Sequence, residues 1–349
     1  MVKHPFLAAS LLLGIAIASG ICTAAHSDCK LLTIAEWPTR LEHSKLIVDG
    51  TINGQKIGIV LDTGAERSLI LRSAAVRLGL TLRRVRGLRL FGVGGETEVE
   101  SAHVDEFRIG EATRTNWQVI VAGEQDLGDN VAVLLGDDFF HRTDVEFDLL
   151  HGAVRLFQTK DCGDSSLAYW SANGADQVAI DAVDDDHPHI VLPVQINGQP
   201  LRAMLDSGAN VSILTTPGAA RLGVAPETPG VVAGGTNIGL GARKVDSWIG
   251  PFQSFTIGQE TIKNPKIRFS NLWKDAAYTR RGSDIPQPIA FEPMLLGADF
   301  LLAHRVLVAH SQRKIYFTYA GGTLFQVSRL PETGSDPGQD IGTKPMGEK

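Results

Sequence analysis

Two aspartates, Asp62 and Asp206, stand where a carboxylate is uncommon. Each directly follows a strand-like apolar run, 59–61 in the first case and 203–205 in the second. An aspartate is rarely buried without a partner or a function. Two carboxylates about 3 Å apart cannot both ionise easily, so one pKa rises and the pair shares a proton. Such a pair can act as general base and general acid together, provided that the fold brings both side chains to one point.

An internal repeat offers a way to bring the two aspartates together. Residues 43–80 align without a gap with residues 187–224 at a constant offset of 144, which places the aspartates opposite each other. A second block closes each half, with residues 133–157 opposite residues 294–318 at an offset of 161. The second half is therefore longer by 17 residues, which fall in the polar stretch 270–293. Repetition of this kind predicts two homologous halves.

Both halves have a mainly β pattern. The dipeptide Asn-Gly at 53–54, and again at 197–198, separates two short apolar runs, which is typical of a type I′ hairpin. Glycine-rich hairpins are predicted at 91–97 and 231–241, and helices are confined to short pieces. The predicted fold is mainly β, with two homologous lobes related by a pseudo-two-fold axis and the site in the cleft between them.

The residues around each aspartate fit a shared site. A glycine two positions later lets backbone amides approach the carboxylates, and the hydroxyl residue in between can hydrogen-bond across the axis. A serine six positions after each aspartate can support the same turn. These predicted supporting residues are Thr63, Gly64 and Ser68 in the first half, and Ser207, Gly208 and Ser212 in the second. We also expect Asp137 and Asp138 to cap the short helix that follows Gly136.

The motifs "LDTGA" at 61–65 and "LDSGA" at 205–209, each followed later by "LLG" and a short helix, resemble those of aspartic peptidases of the retropepsin and pepsin type. The resemblance is closest to the bacterial exported, retropepsin-like group that carries both lobes in one chain. It extends over about residues 40–320. It implies that Asp62 and Asp206 are the catalytic pair of an aspartic endopeptidase, which activates water by general acid–base catalysis.

Further site roles follow from the same resemblance. It implies that Gly136 and Gly297, which end the "LLG" motifs, support the aspartate turns from behind. The glycine-rich hairpins would be flaps that hold a peptide or protein substrate as an extended strand. The predicted flap residues are Gly92, Gly94, Gly95, Gly234 and Gly235. Because one chain supplies both aspartates, a monomer is expected to suffice, and the reaction requires neither a metal nor a cofactor.

The sequence departs from the family pattern four positions after the first aspartate. Glu66 stands there, whereas its counterpart is Asn210; Glu66 could pair with Arg67 or Arg72, or it could bias specificity. Neither glycine-rich hairpin carries the tyrosine found in pepsin-like enzymes. The alternative function is a non-catalytic, exported peptide-binding protein of the same fold, although both aspartates and both of the glycines that follow them are retained.

Residues 1–25 are expected to be a secretory signal peptide. A short basic start precedes an apolar run at 7–21, which is shorter than the roughly 20 residues of a membrane span. Cleavage near Ala25 would leave an exported protein, periplasmic or secreted, without a stable membrane anchor. The mature chain would keep Cys29 and Cys162, which either form one disulfide in an oxidising compartment, as we expect, or remain unpaired.

Composition and motif searches bear on other functions. The formal net charge of −6 and the lack of a long basic run give nucleic-acid binding little electrostatic support. No further Cys/His cluster accompanies His187 and His189, so no metal site is predicted.

The extra residues within 270–293 are expected to form a loop that shapes or gates the cleft. The predicted domain boundaries are 1–25 (signal peptide), 26–160 (N-terminal lobe), 161–186 (inter-lobe linker), 187–325 (C-terminal lobe) and 331–349 (disordered tail).

Overall fold

The computed structural model describes most of the chain between Cys29 and Phe325. The predicted signal peptide, the C-terminal tail and part of the 270–293 stretch lie outside the described residues. Among the residues that are described, no helix is long and apolar enough to cross a membrane. The described ranges are 29–42, 45–128, 130–183, 189–273, 277–279, 286–288 and 291–325.

The first half consists of strands and two short helices. Its predicted hairpin turn is present, since Asn53 and Gly54 both adopt positive φ values, 48° and 78°, as a type I′ turn requires. The elements are β1 (Lys30–Glu42), β2 (Lys45–Ile52), β3 (Gln55–Leu61), β4 (Leu69–Leu71), α1 (Arg72–Arg77), β5 (Arg83–Gly92), β6 (Gly95–Ile109), β7 (Ala112–Ala122), β8 (Val131–Leu135), α2 (Asp137–Phe140), β9 (Asp144–Asp148) and β10 (Ala153–Lys160).

The second half repeats this plan. Asn197 and Gly198 form the equivalent turn, with φ values of 53° and 73°. The elements are β11 (Asp176–Ala179), β12 (Val191–Ile196), β13 (Gln199–Leu205), β14 (Ile213–Thr215), α3 (Thr216–Arg221), β15 (Val232–Asn237), β16 (Val245–Pro251), β17 (Ser254–Ile257), β18 (Glu260–Lys263), β19 (Lys266–Ser270), β20 (Ala277–Thr279), β21 (Pro286–Pro288), β22 (Met294–Leu296), α4 (Ala298–Ala303), β23 (His304–Ala309) and β24 (Lys314–Tyr319).

In each lobe, the strand that precedes the aspartate lies inside a sheet. β3 runs parallel to β8, and β4 pairs with β8 on its other side. β13, β22 and β14 repeat this arrangement in the second lobe. β8 and β22 are buried along their whole length, which explains their uninterrupted apolar sequences. The chain leaves the buried interior of each lobe at the aspartate turn.

The lobes share a base sheet, whose six strands follow the order β11-β24-β23-β9-β10-β1 and continue through β2 into a 13-stranded sheet. At its centre, β9 pairs antiparallel with β23, and Glu146 lies opposite Leu307. The repeat offset of 161 relates the same two residues, so a pseudo-two-fold axis passes between them. The predicted mainly β fold with two homologous lobes is therefore confirmed.

The segment that joins the lobes packs against this base sheet. Leu167 and Ala168 are buried in a cluster with residues of both lobes, and β11 pairs with β24 at the edge of the sheet. A disulfide joins Cys29 to Cys162, with a Cα–Cα distance of 4.1 Å. The beginning of the first lobe is thus linked covalently to its end.

Candidate active site

The two aspartates lie in the turns that leave the interiors of the lobes. Asp62 follows β3, and its amide donates to the carbonyl oxygen of Leu135 at 2.9 Å. Asp206 follows β13, and its amide donates to the carbonyl oxygen of Leu296, also at 2.9 Å. Each turn is therefore fixed to the neighbouring strand that ends in "LLG".

The turns meet between the lobes, where each carboxylate faces the glycine of the other lobe. A Cβ atom on Gly64 would lie 2.4 Å from Asp206 Cγ, and one on Gly208 would lie 2.3 Å from Asp62 Oδ1. Because close-packed atoms do not approach this closely, no larger residue fits at either position. Each glycine amide also donates to the aspartate of its own lobe, at 3.1 Å and 2.9 Å. The structure thus brings the two aspartates together.

Reciprocal hydrogen bonds between hydroxyl residues hold the two turns against each other. Thr63 N donates to Ser207 Oγ at 3.0 Å, and Ser207 N donates to Thr63 Oγ1 at the same distance. Each hydroxyl then donates to a carbonyl oxygen of the other lobe, Thr63 Oγ1 to Leu205 at 2.8 Å and Ser207 Oγ to Leu61 at 2.7 Å. Four buried bonds therefore fix the position of one aspartate relative to the other.

Ser68 lies behind the first aspartate turn. Its Oγ accepts from Gly136 N at 3.0 Å and donates to Asp138 Oδ1 at 2.6 Å. The prediction that Asp137 and Asp138 cap the short helix is wrong, because Gly136 is the N-cap of α2 and no side chain forms a capping bond. Asp138 binds Ser68 instead, and accepts from its backbone amide as well, at 2.7 Å.

The second lobe repeats this contact. Ser212 Oγ accepts from Gly297 N at 2.9 Å and donates to Asp299 Oδ1 at 2.6 Å. Asp299 is the counterpart of Asp138 in the closing blocks. Sequence reasoning missed these two supporting carboxylates. The sequence did carry a signal for them, because an aspartate stands two positions after the glycine in both "GDD" (136–138) and "GAD" (297–299).

Burial governs the protonation of the aspartate pair. Removal from water raises the pKa of Asp62, and the positive charge of Lys45 partly offsets this effect. Burial, and after it the charge of Asp62, raises the pKa of Asp206 as well. Because the two groups interact, the proton belongs to the pair and not to one residue. The pair therefore keeps a proton in a pH range where an exposed aspartate is ionised.

Two further contacts cross between the lobes beside the aspartates, and the sequence analysis did not anticipate them. Lys45 Nζ lies 3.4 Å from Asn210 Oδ1, and His189 Nε2 lies 3.7 Å from Glu66 Oε1. Lys45 and His189 are counterparts under the offset of 144, as are Glu66 and Asn210. The repeat alignment therefore carried the signal, but the lobe packing was needed to interpret it.

The structure also corrects one interpretation of Glu66. Arg72 pairs with Glu100 at an N–O distance of 2.6 Å. Within the described part of the chain, Glu66 forms no ion pair with Arg67 or Arg72, and its nearest charged-type partner is His189. The ion-pair alternative is wrong, and an influence on specificity stays open.

The tips of the two glycine-rich hairpins meet. In the first hairpin, Val93 lies between β5 and β6 and packs against the same apolar cluster as Ala209, which lies in the turn after the second aspartate. The second tip joins the first through backbone hydrogen bonds, from Gly241 N to the Val93 oxygen at 3.0 Å and from Arg243 N to the Gly94 oxygen at 3.1 Å. The two hairpins therefore form a continuous cover that reaches from one lobe to the other.

The boundary of the second hairpin differs from the prediction. Gly234 and Gly235 lie within β15, and the turn occupies residues 238–244. The Gly234 oxygen accepts from Arg268, and the Gly235 oxygen accepts from Ser247 Oγ at 3.0 Å. Both glycines therefore belong to a strand of the hairpin and not to its turn, and their role as flap residues stays a prediction. The three predicted residues of the first hairpin lie at its tip: Gly92, Gly94 and Gly95.

Comparison with known families gives one match. A family model described as aspartyl protease matches residues 48–139 and 192–300. Each matched segment contains one aspartate turn and the "LLG" strand that pairs with it. A search of curated proteins found no match.

Proposed function

The chain belongs to the aspartyl protease family, and on this premise we propose that it is an aspartic endopeptidase with Asp62 and Asp206 as its catalytic pair. The observation that carries the proposal is the approach of the two aspartate turns, in which each carboxylate packs against the glycine of the other lobe. Two buried carboxylates in this position share one proton, which is the state that general acid–base hydrolysis of a peptide bond requires.

In the proposed reaction, a water molecule binds between the two carboxylates. The ionised carboxylate removes a proton from the water as its oxygen attacks the carbonyl carbon, and the protonated carboxyl donates its proton to the carbonyl oxygen. The tetrahedral intermediate then loses a hydroxyl proton to the pair while the leaving nitrogen takes a proton from it, and the C–N bond breaks. The pair ends with one proton, as it began, and no covalent enzyme intermediate forms.

The hydroxyl residues and the hairpins have supporting roles in this proposal. The four bonds of Thr63 and Ser207 keep the carboxylates in place while protons move between them and the substrate. The joined hairpin tips act as flaps that part to admit a peptide and then bind it as an extended strand through backbone hydrogen bonds. One chain supplies the whole site, so a monomer is sufficient.

We also propose that the protein is exported, to the periplasm or out of the cell. This part rests on the pattern of residues 1–25 and agrees with the disulfide between Cys29 and Cys162, a bond that persists in oxidising compartments. Fractionation of cells that express the chain, with detection of an N-terminus near residue 26, tests it.

The test of the activity uses the chain without residues 1–25 and a denatured protein or a peptide library, between about pH 4 and pH 8. We expect cleavage, and we expect Asp62→Asn and Asp206→Asn each to lower it by at least about a thousandfold. Asp105→Asn is the matched control, because its side chain is 81% exposed. Peptide binding without turnover by the wild-type protein would contradict the proposal and favour a peptide-binding protein.

A further inference from the structure

The two contacts beside the aspartates occupy equivalent places but carry different groups. Lys45 begins β2, and His189 lies two residues before β12, at the position that the repeat makes equivalent to Lys45. Each reaches across to the residue four positions after the aspartate of the other lobe, Asn210 for Lys45 and Glu66 for His189. We name them the lysine contact (Lys45, Asn210) and the glutamate contact (Glu66, His189).

The lysine contact carries a positive charge whose one hydrogen bond within the described residues is to Asn210. The ammonium of Lys45 has three donors, and its contact with Asn210 is long, at 3.4 Å. The side chain is only partly exposed, and burial lowers the pKa of Lys45 while the charges of both aspartates raise it. The aspartate pair already offsets part of this charge, and a half-buried ammonium with three donors can bind a further acidic group.

The glutamate contact carries a negative charge. The side chain of Glu66 is 66% exposed, and that of His189 is 23% exposed. Burial lowers the pKa of His189, against the opposing charges of Glu66 and Asp62. The imidazole is therefore neutral near pH 7, and the carboxylate determines the charge of this contact.

Both contacts lie near the aspartate pair. Lys45 is close enough to both aspartates to affect them electrostatically, and His189 is close enough to Asp62. The pseudo-two-fold axis that relates the lobes passes between the aspartates and exchanges the two contacts. They therefore lie on opposite sides of the catalytic pair, and an extended peptide that crosses the pair passes one contact on each side.

We infer that the cleft selects peptides by charge, with an acidic side chain on the side of Lys45 and a basic side chain on the side of Glu66. This inference rests on the proposed peptidase function and adds the class of substrate. Complementary charges favour the correct peptide, and a reversed peptide places like charges together in a partly desolvated site. The opposite charges of the two contacts also favour one N-to-C orientation of the bound peptide, although the two aspartate turns are symmetric.

The test compares rates between peptides in pairs. In a cleavable peptide, each position on either side of the scissile bond is varied from Gln to Glu and from Met to Lys, and the ratio of kcat/KM for the charged and the neutral peptide is measured. Lys45→Met and Glu66→Gln are the test variants. Lys56→Met and Glu111→Gln are the controls, since both side chains are exposed and lie outside the contacts. Changes in the protonation of the aspartate pair cancel in each ratio.

We expect the wild-type protein to prefer Glu over Gln at one position on one side, and Lys over Met at one position on the other, by about three- to tenfold each. Lys45→Met should abolish only the preference for Glu and leave the preference for Lys. Glu66→Gln should abolish only the preference for Lys. Lys45→Arg, which keeps the charge, should retain the first preference if Lys45→Met does not fold.

Two results would overturn the inference while the peptidase function stands. One is a wild-type enzyme that cleaves charged and neutral peptides at equal rates. The other is a preference that survives both test variants, which would leave these contacts as braces between the lobes. Failure of the wild-type protein to cleave any peptide in the set or in a denatured protein would instead contradict the proposed function itself.

Discussion

The turns that carry Asp62 and Asp206 share five pairs of equivalent hydrogen bonds, whereas the surroundings of these turns differ between the lobes. The glycine contacts, the hydroxyl bonds and the serine–aspartate supports occur in both lobes, and the paired hydrogen-bond lengths differ by 0.2 Å or less. Other equivalent positions have diverged, such as Glu146 and Leu307 in the base sheet, or Asp137 and Ala298 after the "LLG" strands. The duplicated contacts are those that fix the geometry of the carboxylate pair.

The attachment of the hairpin tips shows the same divergence. Gln125 of the first lobe donates to the Gly241 and Ala242 oxygens of the second tip at 3.4 and 3.3 Å. β7 and β19 pair with the equivalent strands β4 and β14, with Ile120 and Arg268 at matching positions. Counted from these positions, the equivalent of Gln125 is Trp273, which packs against the same apolar cluster as Val93 of the first tip. The second tip is thus attached through polar contacts in addition to the packing of Leu240 on the core, whereas the first tip is attached through the packing of Val93. The two lobes have therefore kept the same contacts at the pseudo-two-fold axis, where the two aspartates meet, and have diverged elsewhere.

The largest expected effect concerns the base sheet. Glu146 is fully buried and accepts from Arg155 at 3.0 Å and from Arg305 of the other lobe at 2.8 Å. Glu146→Leu, which copies its counterpart, leaves two arginines without this partner and should lower the free energy of unfolding by about 3–5 kcal/mol. Urea unfolding measures it.

The control for this change is Glu106→Leu, which removes the surface pair of Glu106 with Arg108. Because exposed pairs contribute at most about 1 kcal/mol, this variant should unfold close to the wild-type midpoint. Equal losses in the two variants would mean that the inter-lobe ion network does not stabilise the fold more than a surface pair does.

The next prediction tests the symmetry of the hydroxyl bonds. Thr63→Val and Ser207→Ala each remove a buried hydroxyl that donates one bond and accepts another, and each should cost about 1–3 kcal/mol of stability. Because both residues belong to one network, the double variant should cost less than the sum. Thr63→Ser, which keeps the hydroxyl, is the control. A large loss from one variant and none from the other would show that the lobes do not share the network equally.

Asp137 is expected to make the stability of the first lobe depend on pH, whereas its counterpart Ala298 has no ionisable group. Burial raises the pKa of Asp137 from 3.8 to about 7, with His141 acting against the rise. The folded state therefore binds more protons than the unfolded state between these values, and this residue lowers the stability as the pH rises through that window. Asp137→Asn should be more stable than the wild type by about 1–2 kcal/mol near pH 8 and no more stable near pH 4.

Thermal unfolding of both proteins over this pH range measures the difference. Asp161→Asn, at an exposed position that forms no ion pair among the described residues, serves as the control for the removal of one carboxylate. A gap between Asp137→Asn and the wild type that stays constant with pH would contradict the assigned pKa.

Local signals in the sequence were sufficient for the hairpin turns and for the aspartate pair. The Asn-Gly turns form because those residues tolerate positive φ, and the alignment of the two halves paired Asp62 with Asp206. The partner of Asp138 could not be predicted in this way, because Ser68 lies 70 residues away in sequence. The contact between Glu66 and His189 could be recognised only from the packing of one lobe on the other. The tip of the second hairpin was misplaced because strand register depends on pairing across the sheet, and local glycines do not determine it.

The smallest expected effect concerns the polar attachment of the second tip. Gln125→Ala removes two long hydrogen bonds, which together contribute about 0.5 kcal/mol, so kcat/KM should change by less than about threefold. Trp273→Ala removes apolar contact at the first tip and should lower kcat/KM further, because loss of a packed aromatic side chain costs more. Gln118→Ala, at an exposed position of β7, is the control for both. If Gln125→Ala had the larger effect, the polar contact and not the apolar one would hold the flaps, and the two tips would have exchanged the roles that the packing assigns to them.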